Sequence, residues 1–194
     1  MLKISDILHS DFDWDDVCLD EDEYERLSNE LLIDYLKKHD PHARQQLVTS
    51  WNFDNGKTVL QWIVEQPDTD KGTILLLYWY MNPSFFKQYA DRNDCISQGA
   101  AWALEDYDLL TTIEHHYLSG FYQSQVYGFD PKADPYNNGY DWTQENPDTQ
   151  LKAQIPDEML VALAGTTIEP PDWPEGIPSE LIDIMDKLCE AVED

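Results

Sequence analysis

WNFDNGKTVLQWIVEQPDTDKGTILLLYWYM, Trp51 to Met81, is the stretch whose reading decides the fold. It holds the densest run of large apolar residues: Val59, Leu60, Trp62, Ile63 and Val64, then Ile74 to Tyr80 without a break. Asp54-Asn55-Gly56-Lys57-Thr58-Val59-Leu60 is echoed by Asp70-Lys71-Gly72-Thr73-Ile74-Leu75. In each unit an acid and a glycine punctuate the chain, and an apolar run follows a threonine. Glycine permits a tight turn, and threonine is able to cap the orphan N–H groups of a following helix. Helices of two or three turns are marginal alone, so both need burial by neighbours. Ile74–Tyr80, apolar on all sides, is expected to be the central helix. A buried strand is the rival reading, because periodicity does not separate the two in so short a run.

The same stretch resembles a bacterial domain-of-unknown-function family, number 4274. The residues that carry the resemblance are Trp51-Asn52-Phe53-Asp54-Asn55-Gly56, then Trp62-Ile63-Val64 with Pro67, then Asp70-Lys71-Gly72-Thr73 and Tyr78-Trp79. It spans roughly Arg44 to Asp91. Thr69 departs from it, since many relatives are expected to carry cysteine there. The resemblance implies a small, mostly helical bacterial domain and no activity. Members of that family often stand near secreted-toxin genes, so the resemblance suggests an immunity role.

The chain of 194 residues is long enough for one domain with a substantial core. Its net charge is −27, unevenly spread. Residues 1–92 carry 18 acids and 9 bases, whereas residues 93–194 carry 21 acids and 3 bases. Such a field repels nucleic acid and anionic membrane, and attracts basic proteins or metal ions. Solubility or adaptation to salt is the plainer reading of the same charge. Cys18, Cys95 and Cys189 are far apart with no CxxC, as expected of free thiols in a reducing compartment. The N-terminus turns acidic too early for a signal peptide, and no apolar run approaches the roughly 20 residues of a membrane span. A soluble, cytoplasmic protein is expected.

Along the chain, Leu2, Ile4, Ile7 and Leu8 suit a short amphipathic element, followed by the acidic run Asp11 to Glu23. The spacing of Asp11, Asp13 and Asp15 invites a calcium-loop reading. However, Asp16 stands where that loop needs glycine, and Asp22 where it needs glutamate. A solvated acidic patch fits better, with Asp20 or Asp22 capping the helix that follows. Tyr24, Leu27, Leu31, Leu32, Tyr35 and Leu36 mark that helix, closed by Lys37, Lys38 and His39. Asp40-Pro41 stops it and starts the next, whose apolar face is Ala43, Leu47, Val48 and Trp51. His39 and His42 read as ordinary polar surface. Asn82-Pro83 repeats the cap-then-proline device before Phe85, Phe86 and Tyr89. Asn93-Asp94 is expected to open a helix facing the core through Ile96, Ala100, Ala101 and Leu104. Leu109, Leu110, Ile113, Tyr117 and Phe121 mark another.

From 128 to 155 the pattern breaks on Pro131, Pro135, Gly139 and Pro147, yet Tyr127, Phe129, Tyr136, Tyr140 and Trp142 are threaded through it. Two readings stand open: an ordered loop whose aromatics seal the edge of the core, or a binding loop. A short helix is expected at Glu158–Ala164, an extended proline-rich crossing around Trp173, and a last helix from about Ser179 to Val192 with Leu181, Met185, Leu188 and Val192 as its stripe. The fold class is therefore mainly α. A single domain spans 1–194, with a core at 21–127 of short stacked helical hairpins, an irregular loop at 128–155 and C-terminal helices at 156–194.

Catalytic signatures are missing from the sequence: it has no GxSxG, no HExxH and no glycine-rich phosphate loop. Gly56-Lys57-Thr58 resembles the end of a phosphate loop, but Trp51 occupies the position of the required earlier glycine. Glu114-His115-His116 is the best metal candidate. Adjacent histidines on a helix diverge by about 100°, so sharing one ion is awkward. No metal or other cofactor is expected. The leading expectation is an acidic binding protein that neutralises a basic, cytoplasm-acting toxin, a nuclease above all, by covering its active site or substrate cleft, with no direct contact to nucleic acid or membrane. Its candidate contacts are Asp11, Asp13, Asp15, Asp16, Asp20, Glu21, Asp22 and Glu23, together with Asp130, Asp134, Tyr136, Tyr140, Asp141 and Trp142. A metal-dependent hydrolase built on His115 or His116 and a non-catalytic scaffold module are the alternatives.

Overall fold

The computed structural model describes residues 1–192; positions 193 and 194 of the expected domain span lie outside the described residues. Its helices are α1 (Ile4–Ile7), α2 (Glu21–Lys38), α3 (His42–Ser50), α4 (Thr58–Val64), α5 (Lys71–Tyr80), α6 (Pro83–Phe86), α7 (Arg92–Ser97), α8 (Leu104–Leu118) and α9 (Ile182–Glu190). Among the described residues the only β pairing is a few isolated bridges. The architecture is mainly α.

α5 is the central element, and it is a helix rather than the rival strand. Gly72 through Trp79 are all buried, because α3 and α8 pack on it and the chain after α8 crosses its start. α2 packs against α1, α4 and α9, and α4 also meets α8. A single cluster of buried side chains runs through all of these helices.

The helix starts show which residues punctuate the chain. Asp20 caps α2, accepting from the Glu23 N–H at 2.8 Å. At α5 the cap is Asp70, accepting from the Gly72 N–H at 2.9 Å. Thr73 instead donates its hydroxyl to Gln45 Oε1 at 2.6 Å, tying α5 to α3. Nor does Thr58 cap α4. There the turn is held by buried Lys57, whose Nζ donates to the carbonyls of Phe53 at 2.6 Å and Asn55 at 2.8 Å. The lysine of the phosphate-loop-like Gly56-Lys57-Thr58 therefore holds this turn together.

Several sequence expectations need correction. Asn82 does not cap α6 by its side chain; it adopts a left-handed conformation at φ 53° and turns the chain out of α5. α7 is capped by Asp91, not opened by Asn93, and this rotates Ile96 to the exterior and puts Cys95 into the core. The expected helix at Glu158–Ala164 is only a 3-10 turn at Asp157–Leu160. Beyond it the chain is extended, and Leu163 and Thr166 form bridges with Phe129 and Tyr127. α9 begins at Ile182 after a 3-10 turn at Ser179–Leu181, so the C-terminal part contains one α-helix among the described residues.

Candidate functional site

The acidic N-terminal arm is fastened at both ends. The Leu2 N–H donates to Glu23 at 3.0 Å and Arg26 donates to the Leu2 carbonyl at 2.7 Å. At the other end the Leu19 N–H donates to the Ala191 carbonyl at 2.8 Å, zipping the arm to the end of α9. Between these ties Phe12 and Trp14 pack edge to face at 5.0 Å, and Lys187 of α9 stands 5.9 Å from the Trp14 ring centroid. The arm and α9 together line a cleft of about 240 Å³ whose walls include Ile7, Phe12, Trp14, Leu181 and Ile184.

That docking brings two acidic stretches side by side that the sequence separates widely. Asp11, Asp13, Asp15, Asp16, Asp20, Glu21 and Asp22 are exposed, and Glu23 is half-buried. Glu180, Asp183, Asp186 and Glu190 are exposed along α9 and the turn before it. Some of these acids also work locally: Asp20 caps α2, and Asp13 accepts from the Asp15 N–H at 3.1 Å. Among the described residues no group of three or more His, Cys, Asp or Glu is placed to hold a metal ion.

Most cations are engaged within the chain. Among the described residues Arg26, Lys38, Arg44, Lys57, Lys87, Arg92 and Lys152 each pair with a carboxylate. Lys71 stands over the Tyr117 ring and Lys187 over that of Trp14. With so few bases and these partners, the outward charge of the arm and α9 is almost uncompensated.

The irregular segment contributes a different chemistry. Asp134 is 0% exposed, which corrects its assignment as a contact residue. Its carboxylate accepts from the Tyr136 N–H and the Trp142 indole N–H, each at 2.8 Å. Its own N–H pairs with the Tyr140 carbonyl at 3.0 Å. Tyr136, half-buried, accepts from Gln45 Nε2 at 3.0 Å through its hydroxyl and so joins the loop to α3. Trp142, also half-buried, packs at a tilt against Tyr80, with ring centroids 5.1 Å apart. Asp141 holds the turn at Thr143, and Asp130 accepts from the Lys132 N–H. Tyr140, 42% exposed, is the member of this set that most faces solvent. Phe129, Tyr136 and Trp142 pack on the core, so 128–142 is an ordered loop at the core's edge.

His115 and His116 do not form a joint site. Their ring centroids are 5.7 Å apart, and His116 stacks on Phe121 at 4.2 Å while His115 is exposed. Burial holds His116 below the usual imidazole pKa, with His115 as a second cause. Glu114 turns away from both, accepting from the Tyr78 hydroxyl and pairing with Lys87.

The motif residues of the central stretch prove to be fold determinants. Arg44 is buried, forks onto Asp68 at 2.7 and 3.3 Å, donates to Thr69 Oγ1 at 2.9 Å, and lies 5.2 Å from the Trp62 ring centroid. Thr69 in turn donates to the Ile63 carbonyl at 2.8 Å. Asp70 binds both the start of α5 and the chain after α8. Residues 39–118 match the family model of a domain of unknown function, DUF4274. The matched segment is wider than the stretch that carries the resemblance in sequence. It runs from the turn before α3 to the last residue of α8. The acidic arm, the irregular loop and α9 all lie outside it. No curated protein matches the chain. No solved structure matches it either.

One surface residue escaped the sequence reading. Trp102, 70% exposed, stands 6.1 Å from Phe85 on the short 3-10 turn before α8. Its position after Ala100-Ala101 looks like core packing, and only the turn geometry shows the ring facing out.

Proposed function

We propose that the chain is an acidic binding protein that neutralises a basic protein partner, with a cytoplasm-acting toxin of the nuclease type as the best candidate. The observation that carries this reading is the docking of the acidic arm along α9, joined at Leu19 and Ala191 and enclosing an apolar cleft that Glu180 and Asp183 also line. A nuclease must present a positive cleft to phosphate. A rigid array of carboxylates is able to occupy or cover such a cleft in place of the nucleic acid. Phe12, Trp14, Leu181 and Ile184 supply apolar area in the cleft, and the carboxylates supply attraction and selectivity.

The arm is held at Leu2 and Leu19, so little ordering is required on binding. Long-range attraction raises association rates by roughly ten- to a thousandfold at low salt. The test is co-expression with the product of the neighbouring gene. A complex is expected at low salt, with relief of toxicity. Replacing Asp11, Asp13, Asp15 and Asp16 together by asparagine slows association and flattens its salt dependence. A chain that neither forms the complex nor relieves toxicity contradicts the proposal.

A further inference from the structure

A second cavity lies where α2, the turn after α3 and the Pro174–Gly176 turn converge. It measures about 200 Å³, and its lining includes Glu25, Ser28, Trp51 and Glu175 over a floor containing Leu32 and Met185. That volume is below the roughly 300 Å³ at which drug-sized sites begin, and suits a single side-chain-sized group.

Three features mark it as built to receive something. Trp51 is 8% exposed, yet its indole N–H has no partner, and the Ser28 hydroxyl is also buried without one. Buried donors are ordinarily satisfied, and an orphan is costly. Glu175 adopts φ 55°, a left-handed conformation that glutamate takes up at a cost. The adjoining Gly176 packs so closely on Trp51 that a Cβ there would come within 2.8 Å of its Cε3, so the turn is clamped to the indole with Glu175 at the cavity. Among the described residues neither Glu25 nor Glu175 forms an ion pair within the chain. The nearest base along α2, Arg26, is already committed to Glu23, Glu30 and the Leu2 carbonyl.

The chemistry of these groups is complementary to one kind of ligand. Two carboxylates call for a cation. The indole N–H is only a donor and calls for a carbonyl oxygen. We infer that this cavity binds an arginine or lysine residue, its charged head group between Glu25 and Glu175 and its carbonyl oxygen on the Trp51 N–H. The inference rests on the reading of a basic partner only for the source of that residue.

The test uses the full chain, isotopically labelled, and the indole N–H resonance of Trp51, assigned by its loss in Trp51→Phe. N-acetyl-arginine amide is expected to shift that resonance saturably, and N-acetyl-citrulline amide, the neutral isostere, to bind at least about tenfold more weakly. The double variant Glu25→Gln, Glu175→Gln is expected to lose the response with the rest of its spectrum unchanged. Free arginine binding as well as the capped amide identifies a free amino acid as the source. Binding of the capped amide alone identifies a residue within a polypeptide. Equal binding of citrulline, or no saturable shift up to about 20 mM arginine amide, overturns the inference. The wild-type comparison decides the matter even if the double variant does not fold. Such a failure leaves the acidic-arm reading standing, since that reading is measured through Asp11 to Asp16.

Discussion

Gly72 lies against the backbone of Tyr127 so closely that a Cβ on it would stand 2.8 Å from the Tyr127 carbonyl carbon, and nearer still to its oxygen. Beside it, Asp70 accepts from the Gly72 N–H, the Ser124 hydroxyl and the N–H groups of Val126 and Tyr127. One carboxylate and one missing side chain thus fix where the chain after α8 crosses the start of α5. In an unconstrained helix Gly→Ala stabilises by about 1 kcal/mol. At Gly72 the sign is reversed: overlap with backbone makes Gly72→Ala destabilising by about 3 kcal/mol. Urea unfolding checks it, and a stabilised variant contradicts the close approach.

The Arg44–Asp68 pair gives a pH signature. Arg44 is almost wholly inside, while Asp68 is largely exposed. Hydrogen bonding from Arg44 holds the Asp68 carboxyl below its ordinary pKa, against a smaller opposing effect of burial. A lowered folded-state pKa means stabilisation that is present above the unfolded-state value, about 3.9, and is lost as pH falls through the folded one. Asp68→Asn is therefore expected to cost about 1–2 kcal/mol at neutral pH, discounted for the exposure of Asp68. The difference from wild type should vanish on acidification below the carboxylate range. A pH-independent difference measured by denaturant titration counts against the ion pair as its origin.

How far the fold could be read from sequence depended on whether a residue's partner was near in the chain. α2 was legible from end to end, because its stripe, its Asp20 cap and its closing lysines are all local. The central helix was legible as apolar on all sides. What failed was non-local. Nothing near Asp70 shows that its carboxylate serves a segment more than 50 residues away. Glu158–Ala164 has a helical look, but its neighbours are drawn into bridges with residues 127–129, which Gly128 and Gly165 permit by their close approach. For the candidate surface, the acidic run was plain in the sequence. Its company with α9 was not, because that depends on Leu19 meeting Ala191. The assignment of Asp134 failed because a buried carboxylate and an exposed one look alike until their donors are placed.

Alkaline titration should reveal the buried tyrosines. Burial raises the phenol of Tyr78 far above its ordinary pKa, and the charge of Glu114 adds to this. Tyr80, Tyr117 and Tyr122 are likewise raised, with burial the largest cause in each. Raised folded-state values mean that stability is intact below the unfolded-state pKa of about 10 and falls as pH climbs above it. Absorbance near the phenolate band is thus expected to rise in two phases, with these tyrosines ionising only as the fold is lost. Tyr78→Phe leaves Glu114 with Lys87 but without its hydroxyl donor, at a cost of about 1–2 kcal/mol, and should reduce the second phase. A single phase that ends before unfolding, as followed by circular dichroism, contradicts the burial of these rings.

Asp134 organises the irregular loop by satisfying donors from within it and from the core edge. Its two oxygens take the Tyr136 N–H and the Trp142 indole N–H, and it lies beside Tyr80, the last residue of α5. Asp134→Asn keeps the size but replaces one acceptor by an NH₂ group that faces other donors. The cost expected is about 2–3 kcal/mol, because charge-assisted bonds are lost and a buried donor is orphaned. The disturbance should be local in its first stage, since 128–142 is joined to the core through Tyr136, Trp142 and the Phe129–Leu163 bridge rather than through a helix of its own. Hydrogen exchange is expected to quicken at residues 134–142 in this variant while α5 stays protected. If exchange there is unchanged, or if α5 opens together with the loop, then Asp134 does not have the organising part that its hydrogen bonds assign to it.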